Sequence, residues 1–462
     1  MILNFLFNNI KMAAVTGNVI KNRNKFTILI GKNGTGKSQI LKGLIEKFID
    51  LGSTYSVEEE ESANISQKAN SLTLTSEYQP TAVIATSTSP FDRFPLPNHP
   101  SVRTHIPILS SQGIPYYYLG LRDLYSRDFS LSFLNRTIAG LIEAVFHQRE
   151  NACGIFQVLT YLKYHGSIHA KFQLPYSLSK IRAIFDEKRD DADFVEYVTA
   201  GKTNPRLCRL FAEGGPDIIA EVRNAIGEVS SKLTKPRINL EIDSRGVFDR
   251  ANPDHEISES LITLLKFGIF RLREVSLLKS GSNERFIINS ASSGEQAVVL
   301  SFLGIGSYIT DGALICIDEP EICLHPEWQE KYIELLISTF GGFNGCHFVI
   351  ATHSPQILAK LENENCFVLD VETGETIDAC RLNKRSADYQ LANVFGTPGY
   401  KNEYLARELL FILTAISKTG TITPDQMEVA SKILSLSDRL DQSDPVKKLM
   451  QLLKDSLEEI AQ

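Results

Sequence analysis

Short, wholly apolar runs alternate with longer amphipathic ones along this chain. Residues 26–30 read Phe26-Thr27-Ile28-Leu29-Ile30. An unbroken apolar, β-branched run of this length predicts a strand covered on both faces, as in a parallel sheet. The same texture returns at 81–86, 313–317 and 347–351, and the first seven residues read as another strand. A hairpin is expected where 366–371 and 376–381 flank the turn Glu372-Thr373-Gly374-Glu375. Helical period marks 39–45, 133–149, 155–163, the stretch from Gly294, and the runs 403–416 and 445–460. Around 52–78 the chain turns acidic and polar, with Glu58-Glu59-Glu60-Glu61, and reads as a disordered insert.

These elements predict an α/β fold in four sequence pieces. Residues 1–115 form the first part of a nucleotide-binding head, and 116–282 a mainly helical insertion acting as a lid or arm. Residues 283–385 complete the head, and 386–462 form a helical C-terminal extension. Composition narrows the picture a little. At 462 residues the chain exceeds one compact core. The formal charge of −7 means that nucleic acid would have to be held by a local basic patch. Seven dispersed cysteines without a C-x-x-C pair suit reduced thiols and a cytoplasmic location. No apolar run approaches a membrane span, so no membrane partner is expected.

The chemistry begins where the strand at 26–30 ends. Gly31-Lys32-Asn33-Gly34-Thr35-Gly36-Lys37-Ser38 is the G-x-x-x-x-G-K-[ST] phosphate loop, and Gln39 continues into a helix. Strand, glycine turn and helix start together aim backbone N–H groups at a β-phosphate. Lys37 adds charge toward the β- and γ-phosphates, and the Ser38 hydroxyl suits Mg2+. The expected ligand is ATP with Mg2+. After the strand at 313–317 come Asp318, a candidate Mg2+ ligand, and Glu319, a candidate general base. About 280 residues separate Lys37 from Asp318, so the head is split by an insertion.

Ser292-Ser293-Gly294-Glu295-Gln296 stands before a long helix and makes a second anion site. The chain's own loop already holds its nucleotide, so these residues are expected to cap the γ-phosphate bound by a second protomer. Ala351-Thr352-His353-Ser354-Pro355 ends another buried strand, which places His353 beside the γ-phosphate.

As a set, these residues resemble the ABC-type ATPase heads of the SMC, RecF and OLD-like group. Gly31 to Ser38 is similar to Walker A, 292–296 to the signature motif, and 315–319 to Walker B. Residues 318–326 are similar to the group's D-E-P-E-x-x-L-H-P block, with Leu324-His325-Pro326 as D-loop, and His353 matches its switch histidine. Three departures stand out. Ala291 replaces a leucine, Ser293 replaces a glycine, and no glutamine follows the strand at 81–86; Gln79 precedes it. A narrower resemblance, carried by 83–94, 116–120 and the compact length, is to the ATPase subunit of the Septu anti-phage system. It implies an ATP-hydrolysing regulatory subunit with slow turnover, controlling a separate HNH-type nuclease through dimer closure. It further implies self-assembly into at least a two-fold dimer, and beyond that a dimer of dimers or hexamer. Asp370-Val371-Glu372 does not match the Toprim pattern of OLD nucleases, so the chain itself is not expected to cut DNA. A RecF-like repair ATPase acting directly on DNA is the alternative, and a transporter nucleotide-binding subunit a more distant one.

Two weaker constellations lie in the insertion. His165 and His169 are four apart, a metal-binding spacing if the segment is helical. Lys232-Leu233-Thr234-Lys235-Pro236-Arg237 and Arg271-Leu272-Arg273 are basic spots, read either as solvated faces or as contacts to nucleic acid.

Overall fold

A computed structural model describes residues 2–17, 19–20, 22–49, 72–89, 91–95, 108–109, 114–120, 129–147, 156, 159–160, 163–174, 177–179, 181–182, 193–196, 205–251, 257–282, 284–288, 293–322, 324–358, 360–361 and 364–460. The chain forms an α/β fold around an eight-stranded sheet. In chain order the first strands are β1 (Ile2–Phe7), β2 (Ile10–Ala13), β3 (Lys25–Ile30), β4 (Thr73–Ser76), β5 (Val83–Ser87), β6 (Ile108–Leu109) and β7 (Pro115–Leu119). Later come β8 (Tyr164–Gln173), β9 (Arg237–Asp243), β10 (Gly246–Asp249), β11 (Arg271–Lys279), β12 (Arg285–Ile287), β13 (Leu314–Asp318), β14 (His347–Ala351), β15 (Cys366–Asp370) and β16 (Thr376–Asp378). The central sheet runs β16-β15-β3-β14-β13-β5-β7-β6, parallel except at its two edge strands. Every residue of β3, β5, β13 and β14 is buried, as their apolar runs require.

Register places the chemistry. Asp318 lies opposite both Ala351 and Ser87, and Leu29 lies opposite Ala351. The carboxyl ends of β3, β14, β13 and β5 therefore share one edge, where ligands bind in sheets of this kind. On one sheet face, helix α1 (Lys37–Phe48) is sandwiched against the antiparallel sheet β2-β1-β4 through Phe5, Phe7, Ile40 and Leu44. The other face is covered by α2 (Phe129–Phe146), α5 (Ser293–Tyr308) and α6 (Pro326–Phe340).

The insertion departs from expectation. It contains α3 (Pro205–Lys232) and α4 (Glu259–Lys266), but also a five-stranded antiparallel sheet, β10-β9-β8-β11-β12. With α2 included, helix outweighs strand among its described residues, so the insertion is helix-rich but carries a sheet that the apolar runs do not predict. Strict alternation explains the sheet. Ile168, Ala170 and Phe172 point into the core, while His169, Lys171 and Gln173 share the other face. One continuous core joins this sheet to the central one, from Ile28 and Ile317 to Leu240 and Leu277. The boundary at 116 falls inside β7, which pairs with β5 in the head. Residues 285–287 pair with β11 and so belong to the insertion sheet, not the head. The acidic stretch 51–71 lies outside the described residues, but the last part of the expected insert is strand β4, paired with β1.

The hairpin at β15 and β16 forms as read. Beyond α7 (Pro355–Leu358), the extension contains α8 (Ala387–Asn393), α9 (Glu403–Thr419), α10 (Pro424–Leu434) and α11 (Pro445–Ile460). Leu405, Leu409, Ile433 and Leu453 give this bundle its own small core.

Candidate nucleotide site

The phosphate loop leaves β3 at Gly31 and enters α1 at Lys37. Gly34 and Gly36 have φ of 84° and 100°, a region that side chains disfavour. At Gly36 a Cβ would also meet Phe7 Cε1 at 2.8 Å. The helix start carries no side-chain cap, so its N–H groups are available to an anion. Lys37 Nζ reaches back to the Gly31 and Lys32 carbonyls at 2.7 and 2.9 Å. Burial lowers the pKa of this amine, opposed by the charges of Glu319, Asp318, Glu321 and Glu372. Thr35 Oγ1 donates to the Lys32 carbonyl at 2.9 Å. Lys32 is clamped from the hairpin: Glu372 accepts its N–H at 2.8 Å and its Nζ at 3.1 Å. Asn33 is exposed, and Gln39 lies half-buried in the first turn of α1.

Ser38 Oγ donates to Asp318 Oδ1 at 3.1 Å, which joins the helix start to the end of β13. Burial pushes the Asp318 carboxyl up to about 7; the Ser38 hydrogen bond opposes this, and Glu319, Asp92 and Glu321 add to it. A divalent cation would reverse that shift, and the hard oxygens of Ser38 and Asp318 fit Mg2+, with phosphate and water completing its shell. Glu319 holds φ 49°, an uncommon conformation for a side-chain-bearing residue. Its N–H donates to the Ala351 carbonyl at 2.9 Å, and Thr88 Oγ1 donates to its carbonyl at 3.4 Å. The carboxylate of Glu319 lies 3.9 Å from His353 Nε2. Burial, and then Lys37, lower the pKa of His353 to about 4, so the ring is neutral at pH 7.

Lys37, Ser38, Asp318, Glu319 and His353 thus converge on one sheet edge. The signature stretch is placed less completely. Ser292 lies outside the described residues, and Ser293 is the first residue of α5. Gly294 is buried, and Glu295 hydrogen-bonds Tyr164 of the insertion sheet. Leu324 is buried, and His325 caps α6 through Nδ1. Gln79 sits exposed before β5, at the opposite end of that strand from Asp318.

Several participants were not singled out from sequence. Asp92, buried after β5, accepts Tyr118 Oη at 2.7 Å and the Phe94 N–H at 3.1 Å, and its charge acts on Asp318. Glu321 accepts the His353 N–H. Membership of the D-E-P-E block could have flagged Glu321, whereas Asp92 and Glu372 carry no local signal. His165 and His169 lie on strand β8, not on a helix, and His165 is exposed while His169 is buried. Among the described residues, no group of three His, Cys, Asp or Glu side chains could hold a metal. Nor is any described helix long and apolar enough to cross a membrane.

Comparison with known proteins gives the family. A nucleotide-free ATP-binding cassette from an ABC transporter aligns at 11% identity over 81% of this chain and 89% of that one, with a TM-score of 0.24, too low to define a shared arrangement. A protein described as "Retron Ec83 probable ATPase", from Escherichia coli, is 22% identical over 386 residues, 74% of this chain. "Retron Vc95 probable ATPase", from Vibrio cholerae serotype O1 biovar El Tor, is 25% identical over 109 residues, 24% of this chain. The chain spans 66% of the length of the first relative and 20% of the second. The family model described as "AAA domain, putative AbiEii toxin, Type IV TA system" matches residues 26–359, phosphate loop through His353, and the chain belongs to that family.

Proposed function

We propose that this chain binds Mg-ATP, hydrolyses it slowly, and uses that cycle to regulate a separate effector in antiviral defence. The observation that carries the reading is the Ser38–Asp318 hydrogen bond at 3.1 Å, with Glu319 and His353 on the same edge. On nucleotide arrival, Lys37 Nζ exchanges two loop carbonyls for β- and γ-phosphate oxygens, while the uncapped N–H groups of α1 receive the β-phosphate. Mg2+ held by Ser38 and Asp318 would neutralise phosphate charge. Glu319 takes a proton from the attacking water, and the neutral His353 ring hydrogen-bonds the γ-phosphate. Breaking the β–γ bond releases phosphate and leaves ADP.

In this reading the start of α5, with Ser292, Ser293, Gly294 and Glu295, closes on the nucleotide of a second copy across an isologous interface. The similarity to retron-associated probable ATPases supports a defence role. The Septu resemblance supports a cytoplasmic assembly, a dimer of dimers or hexamer, that restrains or releases an HNH-type nuclease. Light scattering and ATPase assays on the same samples test it. Wild-type chain should dimerise with Mg-ATP and hydrolyse it. Ser293→Arg should bind ATP but neither close nor turn over. A wild-type chain that stays monomeric with Mg-ATP yet hydrolyses normally contradicts the sandwich.

A further inference from the structure

The two basic spots of the insertion, far apart in sequence, meet on one face of its five-stranded sheet. Lys235, Arg237 and Arg273 line a cavity of 670 Å³ together with Lys171 and Asn239. Lys171, Asn239 and Ala251 also line a second cavity of 340 Å³, whose other walls include Arg250, Arg285 and His169. The two hollows are therefore limbs of one cleft.

His169 is the informative residue. It is 5% exposed on the wall of the smaller limb, and among the described residues neither ring nitrogen has a hydrogen-bond partner. Its nearest charged neighbour, Glu241 Oε2, is 3.8 Å away, too far for a hydrogen bond. Buried imidazoles are ordinarily satisfied, so a group is wanted here that can accept from the ring. The surrounding charge indicates its sign. Glu241 is shared with Arg250 at 3.4 Å, and Glu274 neutralises Lys171 at 2.7 Å. Arg285, Lys235 and Arg237 make no ion pair among the described residues. Among the described residues, Asp249 is the one carboxylate lining the larger limb, against Lys171, Lys235, Arg237 and Arg273.

We propose that this cleft is a second phosphoryl-binding site, separate from the phosphate loop. A phosphate seats over His169 between Arg250 and Arg285, and the larger limb takes further phosphates of the same ligand. Arginine forks suit phosphate oxygens in pairs, and the buried imidazole supplies the remaining donor. The same chemistry occurs in a free nucleotide and in a nucleic-acid strand. The length of the cleft and the spread of its cations favour the strand.

Fluorescence anisotropy with a labelled 20-nucleotide single strand tests this, with unlabelled pyrophosphate and ADP as competitors. The wild type and Lys37→Ala should bind the strand equally. Arg250→Ser combined with Arg285→Ser should weaken binding at least tenfold and flatten the salt slope by about 1.4, while the paired lysine replacements should keep the slope and lose part of the affinity. A melting curve for each variant shows that it is folded. Competition by pyrophosphate or ADP at the strand's own concentration would assign the site to a free nucleotide and retain its phosphoryl chemistry. Thermal stabilisation of Lys37→Ala by pyrophosphate, lost in the arginine pair, would do the same. The proposal is overturned if Lys37→Ala abolishes binding, if the folded serine pair binds as wild type, or if neither the strand, pyrophosphate nor ADP binds the Lys37→Ala chain.

Discussion

The carboxylate of Glu321 accepts the backbone N–H of His353 at 2.5 Å, so a side chain from the block after β13 fixes the main chain that presents the histidine. Among the described residues, the other carboxylate oxygen of Glu321 and the hydroxyl of Tyr332 are buried without a partner. Burial raises the pKa of Glu321, opposed by its hydrogen bond from His353. Glu321→Ala strands the His353 N–H, at roughly 1–3 kcal/mol. We expect its ATPase kcat to fall about tenfold with KM for ATP little changed, and Glu321→Gln to keep much of the activity. Steady-state kinetics on the two variants measures this; an Ala variant with wild-type kcat would remove Glu321 from the positioning of His353.

Lys37→Ala removes the one amine that can swing from the Gly31 and Lys32 carbonyls to the phosphates. ATP affinity should drop by two orders of magnitude or more, about 3 kcal/mol, as for a lost charged contact in a buried site. Isothermal titration reads this directly, and undiminished affinity would place the nucleotide elsewhere.

Loss of the base is a separate experiment. Glu319→Gln should bind Mg-ATP normally but turn it over ~10²–10⁴-fold more slowly. Single-turnover assays with radiolabelled ATP distinguish slow chemistry from slow product release. Full turnover would assign Glu319 another task.

A pH effect follows from His347, buried between β13 and β3. The Ile2 N–H lies 3.4 Å from its Nδ1, and its Nε2 pairs with Thr27 Oγ1 at 2.9 Å, whose own proton goes to the Ala14 carbonyl at 2.7 Å. Burial, and after it positive charge that includes Lys25, lower its pKa from 6.5 to about 3. The unfolded chain thus takes up a proton between those values that the folded chain refuses. Stability from this group is complete above pH 6.5 and falls as pH drops toward 3, by up to about 1.4 kcal/mol per pH unit. Urea titrations of the wild type and His347→Gln should show a shallower acid slope in the variant; parallel slopes would count against it.

Much of the site is legible in sequence because phosphate chemistry demands particular residues at particular spacings. Gly34, Gly36, Lys37 and Ser38 announce themselves, as do Asp318 and Glu319 at the end of a buried strand. Asp92 and Glu372 do not, because they reach the site from loops whose paths depend on tertiary packing. The sheet of the insertion is hidden from sequence for a related reason. Its strands carry Lys, His, Gln and Glu on one face, as in Tyr164–Gln173, and only the register with β9 and β11 shows that the apolar half is covered. In an isolated run of ten residues, that alternation competes with a helical reading of the aromatic stretch before it.

The position of β3 also governs how this protein is made. Its two neighbours in the sheet are β14 and β15, which begin at His347 and Cys366. A ribosome adding about 5–20 residues per second needs roughly fifteen seconds to a minute to deliver them after Ile30 has been synthesised. Until then the Phe26-Thr27-Ile28-Leu29-Ile30 strand has no lateral partner, and the glycine loop behind it has no rigid base. The nascent chain therefore emerges with an apolar central strand waiting. Nucleotide cannot reward folding until most of the polypeptide exists, so production should depend on chaperones that shield that early segment.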